Sequence, residues 1–463
     1  MKKHNTCAKK AAALLLSLSF LALSACGNAD EKTQFNPSVT AQDSAQEQAE
    51  SSPSKVPSTA KTPSASAAPV KTPAEPEVLH LDKTIFSQCE YPDDAGCDMV
   101  QVTSSCLTLT EEDAVLYPEL ASLLDETAQS TQENVGATFS YLANRAESQS
   151  AYSEGDFGGG SLKQQDDLLV RRADSVALSV LSSSCYEEYG EITQSRYGWN
   201  IDTQTGDTIY LNDVIRDMDA LPALVEQILV DYVFGGEFSS PTAVADYFAD
   251  REEDCYNWTL EYNGVTIHFN AGDIADMEYG AMSATVLFAE HPDLFEEKYM
   301  AVPDAYIVEL ADSVYYADVN GDGTCESIQT YVSYDDEAWM YSGIGVGAYP
   351  VGDNYTEAYA YGYNPFYVHT ADGGDYMYVF CQTTYELNWN TRLLIFDLSS
   401  SDIAITGDCS VRPSNQSKGE MPGLMESYAW LTDPDLLYLD DFDAADTASA
   451  AFKVGSDGVP VRQ

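Results

Sequence analysis

The segment Trp258-Thr259-Leu260-Glu261-Tyr262-Asn263-Gly264-Val265-Thr266-Ile267-His268-Phe269 decides the fold class of this chain. Aromatic and β-branched residues alternate with polar ones on both sides of Asn263-Gly264, a dipeptide suited to the tight turn of an antiparallel hairpin. The predicted hairpin therefore runs from Trp258 to Phe269 with its turn at 263–264. Upstream the period changes. Leu221, Leu224, Val225, Ile228, Leu229 and Tyr232 share one helical face, after a turn signal at Thr205-Gly206-Asp207. Earlier still, a strand is expected through Trp199-Asn200-Ile201-Asp202, one long strand over 168–185 and a Gly-rich loop over 154–160. Pro118 suits the first turn of a helix, which Leu120, Leu123, Leu124, Val135, Phe139 and Leu142 continue, with Gly136 weakening its middle. A further strand is expected at 99–109. Strand, helix, strands, helix and hairpin describe an α+β region over 78–300.

Downstream, residues 304–463 have no long helical pattern. The apolar and aromatic run Tyr376-Met377-Tyr378-Val379-Phe380-Cys381 predicts a strand buried on both faces, and Leu393-Leu394-Ile395-Phe396 predicts another. A β-rich domain is expected here. The acidic stretch 433–446 is expected to be a solvated surface segment.

The amino terminus carries an address. Lys2, Lys3, Lys9 and Lys10 precede an apolar run over 11–23, a length that matches a signal-peptide core and is too short to span a bilayer and stay there. Leu23-Ser24-Ala25-Cys26 follows, and it resembles the lipobox of bacterial lipoproteins. The resemblance implies cleavage after residue 25 and a lipid on the Cys26 thiol; the alternative is an ordinary secretory signal with an incidental cysteine. Residues 1–25 are thus expected to be a signal peptide, and the Ala-, Ser-, Thr-, Pro- and Glu-rich residues 26–77 a disordered tether. The expected location is the extracytoplasmic face of the cell membrane.

Charge narrows the partners. Removing the four leader lysines leaves 18 Lys+Arg against 75 Asp+Glu, a formal charge of −57. Such an excess repels phosphate backbones and anionic lipid surfaces, which argues against nucleic acid and leaves membrane attachment to the lipid anchor. Beyond Cys7 and Cys26, eight cysteines remain, at 89, 97, 106, 185, 255, 325, 381 and 409. An even, widely spread set in an exported chain predicts disulfides, with no pairing readable from sequence.

Arg172-Ala173-Asp174-Ser175-Val176-Ala177-Leu178-Ser179, Asn200-Ile201-Asp202-Thr203-Gln204-Thr205-Gly206 with Leu211-Asn212-Asp213-Val214, and Gly272-Asp273-Ile274-Ala275 with Tyr279-Gly280 resemble the extracellular domain of the RsiV family. That domain occurs in lysozyme-sensing anti-sigma factors and ahead of the catalytic domain of PdaC-type peptidoglycan deacetylases. The resemblance covers about 78–300 and implies lysozyme or another basic protein as partner. It departs at Tyr189-Gly190-Glu191, where such domains often carry a Gly-x-His turn. No counterpart of the deacetylase domain is found.

Asp318-Val319-Asn320-Gly321-Asp322-Gly323-Thr324-Cys325-Glu326 is the sharpest local motif. Asp318, Asn320 and Asp322 place oxygens at every second position, with the Thr324 carbonyl and Glu326 completing a hard-cation set. The motif resembles the short calcium loops of FG-GAP repeats and predicts a structural Ca²⁺; without metal the same residues would make a hairpin turn. Catalytic signals are scarce. His80, His268, His291 and His369 form no zinc-protease motif, and Gly343-Ile344-Gly345-Val346-Gly347 lacks a strand-to-helix setting. No catalytic residue is assigned. The expectation is a surface-anchored, non-enzymatic binding lipoprotein of the cell envelope; the alternatives are a peptidoglycan-binding module or an envelope hydrolase with an unrecognised carboxylate site.

Overall fold

β1 (Leu81–Glu90), β2 (Met99–Leu109), β3 (Ser161–Ala173), β4 (Ala177–Glu188) and β5 (Glu191–Asp202) hydrogen-bond in sequence order. All neighbours are antiparallel except β2 and β3. A parallel pair needs a crossover, and the 33-residue helix α2 (Pro118–Ser150), preceded by α1 (Glu111–Leu116), supplies it. Leu120, Leu124, Val135, Leu142 and Ala146 bury the inner stripe of α2 against this sheet. The helix runs through Gly136 because that packing outweighs a glycine cost of about 1 kcal/mol. The computed structural model describes residues 76–463 apart from 92–98, 151–160, 189, 235–237, 250, 252–254, 311–313, 331–343, 347–348, 352–359, 386–387, 400–404, 414–430 and 442–448. The expected leader, Cys26, most of the tether and the 154–160 loop lie outside the described residues.

Residues 168–185 are not one strand. Asp174 Oδ1 accepts the amide protons of Val176 at 2.8 Å and Ala177 at 3.0 Å, which closes a tight turn and folds the segment into the β3–β4 hairpin. A single Asp-Ser pair inside a Leu- and Val-rich run carries that turn.

The second layer contains α4 (Leu221–Ile228), after the one-turn helix α3 (Leu211–Val214), and α5 (Ala243–Ala249). They pack on a three-stranded sheet of β6 (Trp258–Leu260), β7 (Gly264–Phe269) and β8 (Met282–Leu287). The predicted hairpin is present with a different turn. Leu260 faces Val265, and the Glu261 amide donates to the Gly264 carbonyl at 2.8 Å, so Tyr262 and Asn263 form the tip. Gly264 answers to space: a Cβ there would lie 2.3 Å from the Val286 carbonyl oxygen on β8.

The carboxyl-terminal region opens, after the short helix α6 (Glu297–Met300), with β9 (Tyr306–Glu309) and is β-rich as expected. Its central sheet has the order β17-β16-β15-β14-β9, made from β14 (Ala360–His369), β15 (Asp375–Tyr385), β16 (Asn388–Asp397) and β17 (Ile405–Cys409). Met377 and Val379 of β15 face one core, and Tyr376, Tyr378 and Phe380 face the other. On the first side lies a sheet of β10 (Tyr315–Ala317), β11 (Glu326–Thr330), β12 (Ile344–Val346) and β13 (Tyr349–Val351). On the second lies β18 (Val411–Pro413), β19 (Leu437–Asp441), β20 (Ser449–Val454) and β21 (Pro460–Arg462). Burial on both faces explains the unbroken apolar run of β15. Residues 75–463 pack as one unit.

Candidate functional site

The predicted metal loop occupies 318–325, between β10 and β11, whose last pair is Ala317 with Glu326. Tyr315, Ala317 and Val319 enter the core beneath it, which pins the loop from below and leaves Asn320, Asp322 and Thr324 exposed. Gly321 and Gly323 have φ of 73° and 88° with open space around their Cα atoms, so each is there for its left-handed backbone.

All four acidic or amide side chains of the motif turn into the loop. Asp318 Oδ1 accepts from the Asp322 amide at 3.0 Å and Oδ2 from the Gly323 amide at 2.8 Å. Asn320 Oδ1 accepts from the Asp322 amide at 2.8 Å, and Asp322 Oδ1 accepts from the Thr324 amide at 2.9 Å. Glu326 reaches back from β11, taking the Val319 amide at 3.1 Å and Asn320 Nδ2 at 2.7 Å. The side chains are thus brought to one loop but engaged by its own N–H groups. Among the described residues no three His, Cys, Asp or Glu side chains stand together as a ready cage. Each engaged oxygen keeps a second lone pair for a hard cation. Burial, reinforced by the Asp318 and Glu326 charges, pushes the neighbouring Cys325 thiol up.

Where sequence reading found no chemistry, the fold assembles a buried charge network. Arg171 and Arg172 sit side by side on β3 and are fully buried. The Arg171 guanidinium grips Glu261 through Nε at 3.1 Å and Nη2 at 2.9 and 3.0 Å, while Nη1 donates to the Glu309 carbonyl at 2.7 Å. Arg172 pairs with Asp174 at 2.8 Å and donates to the carbonyls of Tyr299 and Ala301. Lys83 Nζ lies 2.8 Å from Asp167 and 3.6 Å from Glu309. Burial pushes the Glu309 carboxyl up to about 7, against the opposing pull of Lys83. These groups join β1, β3, the β6–β7 turn and β9. Two adjacent arginines in the apolar run Leu168-Leu169-Val170-Arg171-Arg172-Ala173 were the available signal, in a chain otherwise poor in cations.

His80 makes a second link. Its Nδ1 lies 3.1 Å from Asp113 on α1 and its Nε2 3.0 Å from Asp433, and these two hydrogen bonds raise its pKa to about 10. Asp433 is therefore a packed partner rather than a solvated surface residue, because a charge this far along the chain folds back onto His80, the residue before the first strand. His268 is buried in β7 against Thr259 Oγ1 at 2.9 Å, and burial holds it down at about 3. Its place is structural. Cys89, Cys106, Cys185 and Cys325 are free thiols, so the expected disulfides are not formed at these four positions. No helix among the described residues is long and apolar enough to cross a membrane.

No family model matches the chain and no curated protein matches it. Solved structures similar to part of it include two DUF3298-family proteins. A member of the DUF3298 family from Bacteroides fragilis shares 15% identity with a TM-score of 0.32, covering 48% of this chain and 96% of that one. A DUF3298-family protein from Pseudomonas aeruginosa shares 14% identity with a TM-score of 0.31, covering 49% of this chain and 98% of that one.

Proposed function

We propose that this chain is a lipid-anchored, non-enzymatic binding protein of the bacterial cell envelope that captures a basic protein such as lysozyme. The observation that carries the reading is where the few cations go. Lys83, Arg171 and Arg172 are buried inside the fold, and Arg145, Lys163, Arg216, Arg251 and Lys298 each pair with a carboxylate. With 75 Asp+Glu in the sequence, the surface left over is anionic, and such a field steers cationic partners.

Titration calorimetry with lysozyme at low and physiological salt tests the proposal. A specific site saturates with fixed stoichiometry and keeps measurable affinity at physiological salt, where charges beyond about 8 Å are screened. Loss of all heat at that salt would reduce the interaction to generic attraction. Exposed Tyr91, Tyr141, Tyr279 and Tyr438 favour glycan stacking as the second reading, and saturable binding to peptidoglycan fragments would then replace the first.

In the same reading the 318–326 loop binds Ca²⁺ as a structural clamp on the β10–β11 hairpin. An ion bound only by the native state raises the melting temperature by mass action. Ca²⁺ added after chelation is expected to raise it, and Asp322→Ala to abolish the rise. No rise in the unaltered protein would leave the loop a self-bonded turn.

A further inference from the structure

A cleft of about 390 Å³ opens beside α5, lined by Ser239, Ser240, Asp246, Tyr247, Arg251 and Asp273. Its size suits a small molecule rather than a polymer. Tyr247 is a fixed floor: the ring is buried, its hydroxyl donates to the His268 carbonyl at 3.2 Å, and Phe269 meets it edge-on at 4.7 Å. Arg251 lies over that ring, its guanidinium carbon 3.9 Å from the centroid. Asp273 Oδ1 takes an Nη2 proton at 3.3 Å, and Asp273 Oδ2 is itself held by the Asn270 amide at 2.8 Å. The guanidinium is therefore held on one face and one edge, yet is one-third exposed. A guanidinium has five N–H donors, so this one is poised to receive a carboxylate in bidentate fashion. The exposed carboxylate of Asp246, oriented by Thr242 Oγ1 at 2.7 Å, lines the same cleft.

The two signs together select the ligand. A purely anionic ligand would meet Asp246 and Asp273, and a purely cationic one would meet the Arg251 guanidinium, of which Asp273 engages one edge and leaves the rest open. We propose that this cleft binds a zwitterionic α-amino group and carboxylate, as in a free amino acid or the ends of a short peptide, with the carboxylate on Arg251 and the ammonium on Asp246. The site is independent of the protein partner proposed above.

Calorimetric titration of the full chain with alanine, dialanine, N-acetylalanine and alaninamide tests it. Alanine or dialanine is expected to saturate one site, the former if the natural ligand is a free amino acid and the latter if it is a peptide. Blocking the amine or the carboxyl should weaken binding at least about tenfold, the loss of one charge-assisted hydrogen-bonded contact. Asp246→Asn should remove the preference for alanine over N-acetylalanine, and Arg251→Gln the preference over alaninamide. Far-ultraviolet circular dichroism of both variants checks that the fold is kept. Absence of saturable heat with both zwitterions, or equal binding of the blocked compounds to the unaltered protein, would overturn the proposal without recourse to any variant.

Discussion

Glu309 shows how one residue couples the fold to pH. Lys83 and Arg171 bring two positive charges to a site that holds the buried Glu261 and Glu309 and the half-buried Asp167, so full ionisation would leave a net negative charge in low dielectric. Glu309 lies farther from Lys83 than Asp167 does, and it is the carboxyl pushed up to about 7. The native state then binds more protons than the unfolded chain between about 4.5 and 7. Its contribution to stability is present at low pH and lost as pH rises through that window. His268, held down at about 3, acts in the opposite sense, losing stability as pH falls below the ordinary histidine value. The difference between the unaltered protein and Glu309→Gln isolates the first effect. The melting temperature of the variant relative to the parent is expected to climb from pH 4.5 to 7 and level off above. A pH-independent difference would show that Glu309 keeps its charge.

At the scale of an element, the β6–β7 hairpin shows tertiary contacts choosing a register. Local preference places the turn at Asn263-Gly264, and preferences of this kind are worth about 1–2 kcal/mol. The observed turn buries Glu261 under Arg171 and stacks Tyr262 on Tyr306 with centroids 4.1 Å apart. Depriving a buried arginine of its partner costs about 3–5 kcal/mol, so the tertiary term wins. The Gly264 backbone then passes against β8. Gly264→Ala is expected to destabilise the protein by about 1–3 kcal/mol through overpacking against the Val286 carbonyl. Denaturant melts measure it, and an unchanged midpoint would show that β8 yields freely.

For the whole molecule, the buried links of Arg171 to Glu261 and Glu309, and the half-buried link of His80 to Asp433, join residues up to 353 positions apart into one packed unit. Its expected tether to the cell rests on a single atom. If Cys26 carries the lipid, Cys26→Ser should shift the protein out of the membrane fraction or leave an unprocessed precursor. Normal processing with full membrane retention would refute the anchor.

The sequence by itself determined what local pattern can specify. The period-2 and period-3.6 runs, Pro118 at the start of the long helix, the doubly buried β15 and the paired glycines at 321 and 323 could all be read from it, and so could the α+β class with its β-rich second half. The tertiary structure alone decided the break at Asp174, the register at Gly264 and the pairing of Arg171, Arg172, Lys83 and His80. The cleft at Arg251 was likewise its work. Each of these depends on partners dozens to hundreds of residues away, and the energy of burying and pairing a charge does not exist until the fold brings the partner and excludes the water.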